Sequence, residues 1–147
     1  MLTKRSTERL KIILTFDSAI DESRLDVEKY LSTNDQKYAP LKEAETPIEW
    51  EVQRLSRRAW DHVGSRPEGY RTREAVRFGL VGVQNFQHEG QNVVLKFKQY
   101  DLEGGQVRGL DEVSMDAVCD TPAIREELGI RIAGMSTLLD PAFPTSG

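Results

Sequence analysis

Ile48-Glu49-Trp50-Glu51-Val52 alternates apolar and charged residues without a break. Side chains on a strand point to opposite faces in turn, so Ile48, Trp50 and Val52 face a core while Glu49 and Glu51 face water. That pattern belongs to an antiparallel sheet covered on one side only. A second alternation precedes it: Leu10, Ile12, Leu14 and Phe16 form a strand that Asp17 and Ser18 break. Between the two, the spacing from Asp21 changes to that of a short amphipathic helix carrying Leu25 or Val27 with Tyr30 and Leu31, ending near Thr33-Asn34. Asp35 to Pro47 reads as a polar connection.

Beyond Val52 the period is helical. Ser56 opens a helix over Leu55 to Val63, and Gly64 to Gly69, with Pro67, closes it. Thr72 is an N-cap for a second helix whose Val76, Leu80 and Val83 share a stripe, ending near Asn85. His88 to Asn92 is turn-like, and Val93, Leu95 and Phe97 alternate in a strand reaching about Tyr100. Gly104-Gly105 supplies the positive φ of a hairpin turn returning through Val107, and Asp111 to Cys119 is a short helix or turn. The last helix is capped by Asp120 or Thr121 and has Pro122 in its first turn; Ile124, Leu128, Ile132 and Met135 fall on one face. Gly129 and Gly134 each weaken it by about 1 kcal/mol relative to alanine. Either they mark the close approach of another element or they are simply tolerated. The sum is an α+β fold: a small antiparallel sheet of three or four strands with three to five helices. It forms one domain over residues 1–138 and a C-terminal tail over 139–147 that is loose or ordered by a partner.

The 147 residues suit a single core, and 20 Lys+Arg against 24 Asp+Glu leave a net charge of −4. The longest uncharged apolar stretch, Gly79 to Val83, is far below the roughly 20 residues of a membrane span. Cys119 stands alone, so an intrachain disulfide is excluded and a reducing cytoplasm is the expectation.

Chemistry-bearing residues are sparse. His62 follows Asp61, which could orient it as a base, but neighbours in a helix point to different sides. The plainer reading is a surface or internally satisfied histidine, and His88 reads as part of a solvated loop. Cys119 precedes Asp120, whose charge works against a reactive thiolate. Asp17, Asp21, Glu22 and Asp26 lack the ligand order of a calcium loop, and the glycines form no phosphate-cradling motif. No catalytic residue, metal or cofactor is expected. An enzyme or ligand-binding module would need a pocket holding His62 or Cys119 beside a perturbed carboxylate.

Charge is uneven. Between Arg54 and Arg77 lie Arg54, Arg57, Arg58, Arg66, Arg71, Arg73 and Arg77 against Asp61, Glu68 and Glu74, a local +4 that leaves −8 on the rest. Guanidinium groups suit paired contacts with carboxylate or phosphate and stacking on aromatics. The segment is either a surface for an acidic partner, for a second copy or for nucleic acid, or an ordinary helical surface paired with its own glutamates. The overall acidity argues against nucleic acid.

Four stretches carry a resemblance: Asp17 to Asp21 with Tyr30 to Asp35; Thr46 to Ser56; Ala75 to Val83; and Ile124 to Gly129 running into Met135 to Leu138. Together they resemble small proteins encoded among the tail genes of tailed bacteriophages, often described as tail assembly chaperones. The resemblance implies a non-enzymatic protein that handles other phage proteins, holding a tape measure or tail-tube subunit in the host cytoplasm. The alternative it implies is a permanent virion component of the neck, tail or head surface, forming an oligomer. No catalytic residue is carried over. An assembly chaperone needs apolar surface bordered by charge. The candidates are Arg54, Arg57, Arg58, Arg73 and Arg77 in the middle, Ile132, Met135 and Leu138 on the last helix, and Leu139 and Phe143 in the tail; a core stripe is the competing reading for the helix.

Overall fold

The structure, a computed structural model, describes residues 9–138. The alternating stretch forms β2, Glu49–Gln53, with Trp50 and Val52 fully buried. It is the middle strand of a three-stranded antiparallel sheet in the order β1-β2-β3, with β1 at Arg9–Ile12 and β3 at Leu80–Gln84. Trp50 sits opposite Ile12 on one side and Val83 on the other, and its ring packs 4.9 Å from that of Phe86.

Two departures from the sequence reading have physical causes. β1 stops at Ile12 rather than Phe16. The Ile13 N–H donates to the Tyr30 hydroxyl, and the Ile13 carbonyl accepts from that hydroxyl and from Arg131, so no ladder can continue there. More consequentially, the helix expected to reach Asn85 ends at Gly79, and Leu80 to Val83 is strand. β2 would otherwise have an unpaired edge, and Val81 and Val83 are β-branched. Gly79 allows the turn-off, because a Cβ there would collide with the Ile132 side chain and lie 3.2 Å from the Gln53 carbonyl.

The helices follow their caps. α1 (Val27–Thr33) is capped by Asp26, and the expected start at Asp21 is a separate 3-10 turn, Glu22–Arg24. α2 (Arg57–Ser65) is capped by Ser56, whose hydroxyl accepts from the Ala59 N–H at 3.2 Å. α3 (Glu68–Gly79) starts ahead of the expected Thr72, with Pro67 as its N-cap residue at ψ 147° and Glu68 in the first turn complementing the helix dipole. α4 (Glu112–Cys119) is capped by Asp111, and α5 runs Pro122–Leu138.

The remaining strands form two separate hairpins rather than extending the sheet. β4 (Gln87–His88) and β5 (Gln91–Asn92) flank Glu89-Gly90, both at positive φ. β6 (Phe97–Leu102) and β7 (Gly105–Leu110) turn at Glu103-Gly104, one residue before the expected position, with Gly104 and Gly105 both at the expected positive φ, and β6 begins four residues after Val93.

The described residues thus hold α+β architecture with five α-helices and antiparallel pairing throughout. Ile124, Leu128, Ile132 and Met135 are all buried, and α5 packs most closely on α3. Gly129 makes that approach possible: a Cβ there would lie 2.6 Å from the Thr72 carbonyl oxygen. The main core runs from Ile12 to Met135, and a satellite of Ile13, Ile20, Tyr30 and Ala39 sits under the N-terminal segment. No helix among the described residues is long and apolar enough to cross a membrane.

Candidate functional site

The arginine-rich segment does not form one face. Arg54 and Arg77 are buried, at 7% and 8% exposure. Arg77 is a hub: its Nε donates to Glu74 Oε2 at 3.1 Å, and its Nη1 donates to Glu112 Oε1 and the Tyr100 hydroxyl, each at 2.8 Å. Tyr100 in turn donates to the Leu110 carbonyl at 2.5 Å, tying α3 to β6, β7 and α4. Burial works against the Arg77 charge, but the Glu112 hydrogen bond and the Glu74 carboxylate outweigh it and raise its pKa. The Arg77 hydrogen bond likewise holds the Glu112 carboxyl below its ordinary value. Arg73 lies 3.6 Å from Asp116, and Arg57 lies 3.7 Å from Asp61 on an exposed turn of α2. Arg58 lies along the Gly104-Gly105 turn, where a Cβ on Gly105 would be 3.0 Å from its guanidinium carbon. Arg54 and Arg77 are therefore parts of the fold, not of an exposed patch. Arg57, Arg58 and Arg73 have side chains that reach the surface.

His62 pairs with Glu74, not with its sequence neighbour Asp61: Nε2 is 3.0 Å from Glu74 Oε1. Its ring meets Phe78 edge-on at 5.6 Å. It borders a hollow of about 500 Å³ with Arg58, Asp61, Ser65, Glu103 and Gly104. A carboxylate-held imidazole can accept or deliver a proton there. Nucleophilic chemistry has less support: the Ser65 hydroxyl donates to the His62 carbonyl at 2.7 Å, and Cys119 is buried, with burial pushing its thiol pKa up. His88 is 3.1 Å from Asp120 in an exposed pair. Among the described residues no group of three or more His, Cys, Asp or Glu could hold a metal ion.

An apolar face lies on the outer side of α5. Ile130 falls off the buried stripe and is 61% exposed; beside it Phe16 is 49% and Leu31 41% exposed. Two hollows flank Ile130. One of about 280 Å³ is lined by Trp60, Val63, Ala75, Ala133 and Ile130, with Arg71 at its rim. The other, of about 420 Å³, is lined by Phe16, Leu31, Ala123, Ile130 and Gly134, with Glu126 and Glu127.

Beneath the second hollow the backbone is held firmly. Thr15 donates its N–H and hydroxyl to Glu127 at 2.9 and 2.5 Å, and Arg131 bridges Glu127, Asn34 and the Ile13 carbonyl. The Arg131 side chain is only 2% exposed, so Phe16 and Leu31 project from a fixed platform.

Of the helix positions singled out from sequence, Ile132 and Met135 are core, at 0% and 4% exposure. Leu138 ends α5, while Leu139 and Phe143 lie outside the described residues. Ile132 and Met135 therefore belong to the core stripe, and the exposed large aliphatic of α5 is Ile130. In the sequence Ile130 is a large aliphatic out of phase with Ile124, Leu128, Ile132 and Met135.

Comparison of the chain with models of known protein families, with curated proteins and with solved structures gives no match in any of the three.

Proposed function

We propose that this chain is a non-enzymatic tail assembly protein of a tailed phage, working by protein–protein contact through the face around Ile130, Phe16 and Leu31. The observation that carries the contact reading is that face: three large apolar side chains project together beside two hollows, on backbone pinned by Arg131 and Glu127. Scattered exposed hydrophobics need no explanation, whereas a contiguous apolar patch bordered by charge suits a protein partner. The phage setting rests on the resemblance of the four sequence stretches. The partners it implies are a tape measure protein, a tail-tube subunit or neighbouring virion proteins, with a homo-oligomer compatible with the same surface.

A permanent virion subunit is the competing reading. The buried network under the face favours it, because a preordered surface suits a lasting interface. Mass spectrometry of purified virions of the encoding phage, with copy number, separates the two. Many copies per particle mean a structural subunit. Absence from virions together with abundance in infected-cell lysate means an assembly factor. A gene lying in neither phage nor prophage removes the phage setting and leaves only the contact face.

A further inference from the structure

We propose that the occupant of the Ile130 face is a second copy of this chain, joined about a two-fold axis running along α5. The inference rests on the contact reading above and names the partner. When two copies of one surface meet face to face, the two-fold axis lies in the interface, and an axis along α5 brings each flank of one copy onto the opposite flank of the other.

The two flanks are complementary in charge. One is the hollow of about 420 Å³ lined by the exposed Phe16 and Leu31, with the acidic Glu126 in its lining. The other is a hollow walled by Trp60, Val63, Ala75 and Ala133, with Arg71 at its rim. Exchange of flanks brings the exposed Phe16 and Leu31 of each copy against the apolar lining of the other and sets Arg71 against Glu126 twice. Ile130 borders both hollows and so lies next to its own counterpart.

The surface of α5 permits close approach there, since a Cβ on Gly134 would meet nothing within 4 Å. Arg71 is exposed and held in place, its Nε donating to the Arg66 carbonyl at 3.0 Å. Glu126 is exposed and lies 3.4 Å from Arg125. A partner of unrelated sequence would have to match an acidic and a basic rim separately, whereas a second copy matches both at once.

The test is sedimentation equilibrium of the full chain over a wide concentration range. A dimer is expected, and Ile130→Asp should give a monomer with unchanged circular dichroism, the position being exposed. Arg71→Glu and Glu126→Arg should each weaken the dimer roughly tenfold, two rim pairs being affected in each case, and the double reversal should restore it. Under mild oxidation Ile130→Cys should crosslink to itself, while Val113→Cys on α4, which is 77% exposed, should not. A dimer that survives Ile130→Asp and gives no Ile130→Cys crosslink overturns the proposal. So does a chain that stays monomeric throughout. In that case, loss of binding to purified tape measure or tail-tube protein in Ile130→Asp keeps the contact reading alive with another partner. Unchanged binding sinks both.

Discussion

The Arg131 guanidinium lies 4.3 Å from the centre of the Tyr30 ring, and both residues also bond to the backbone of Ile13. One cation on α5 and one phenol on α1 thereby close off the end of β1 and fasten the segment carrying Phe16. Removing either partner strands buried polar groups. Arg131→Met should destabilise by about 3 kcal/mol, because Glu127 loses its cation in a nearly dry site. Tyr30→Phe should cost about 2 kcal/mol, because the Ile13 N–H and carbonyl lose a shared partner. Urea unfolding followed by circular dichroism measures both.

Gly129 and Gly134 should respond oppositely to alanine. In Gly129→Ala the new methyl would press on the Thr72 carbonyl, which is backbone and cannot swing away, so a loss of about 2 kcal/mol is expected. Gly134 has open space, so alanine should stabilise by about 1 kcal/mol through helix propensity. Thermal unfolding at low protein concentration, where association contributes little, gives the comparison.

Arg77 and Arg57 should separate the structural arginines from the surface ones. Lysine at position 77 cannot serve Glu74, Glu112 and Tyr100 from one planar fork, so Arg77→Lys should cost about 2 kcal/mol. Arg57→Ala breaks an exposed pair with Asp61 and should change stability by less than about 0.5 kcal/mol. A result with the two values reversed would show that the buried fork does not hold α3 to α4.

Acid should weaken the fold through the same hub. The Glu112 pKa is lowered from 4.5 by the Arg77 hydrogen bond, and that of Asp111 from 3.8 by the Ser114 N–H. A depressed folded-state pKa stabilises above the unfolded value and loses that contribution as pH falls through the folded one. Stability should therefore decline from about pH 4.5 downward. Glu112→Gln should be less stable than the parent at neutral pH, and the gap should close as acid protonates the parent. Because Glu112 is 59% exposed, the effect should be modest and reduced by salt. Urea midpoints against pH read it directly.

Cys119 should resist alkylation in the folded protein. It is 8% exposed, and burial raises its pKa, so little thiolate is available at neutral pH. Mass-detected labelling should proceed quickly only after denaturant is added; rapid labelling of the native chain would mean that α4 opens locally.

The elements that could be read from the chain alone are those set by local rules. The alternation of Ile48 to Val52, the Ser56 cap, the positive φ of Gly104 and Gly105 and the stripe Ile124, Leu128, Ile132 and Met135 each express a period or a backbone preference contained within a few residues. They determined the α+β class, and the structure bears it out. What tertiary structure alone decided is which surfaces meet. Leu80 to Val83 fits a helical stripe as well as a strand, and the open edge of β2 chose between them. His62 took Glu74 over Asp61, Arg77 sank into a three-way fork, and Ile130 was left outside, because helix orientation against the sheet sets contacts between residues far apart in sequence. A residue's spacing reveals the face it belongs to; only packing reveals whether that face is covered.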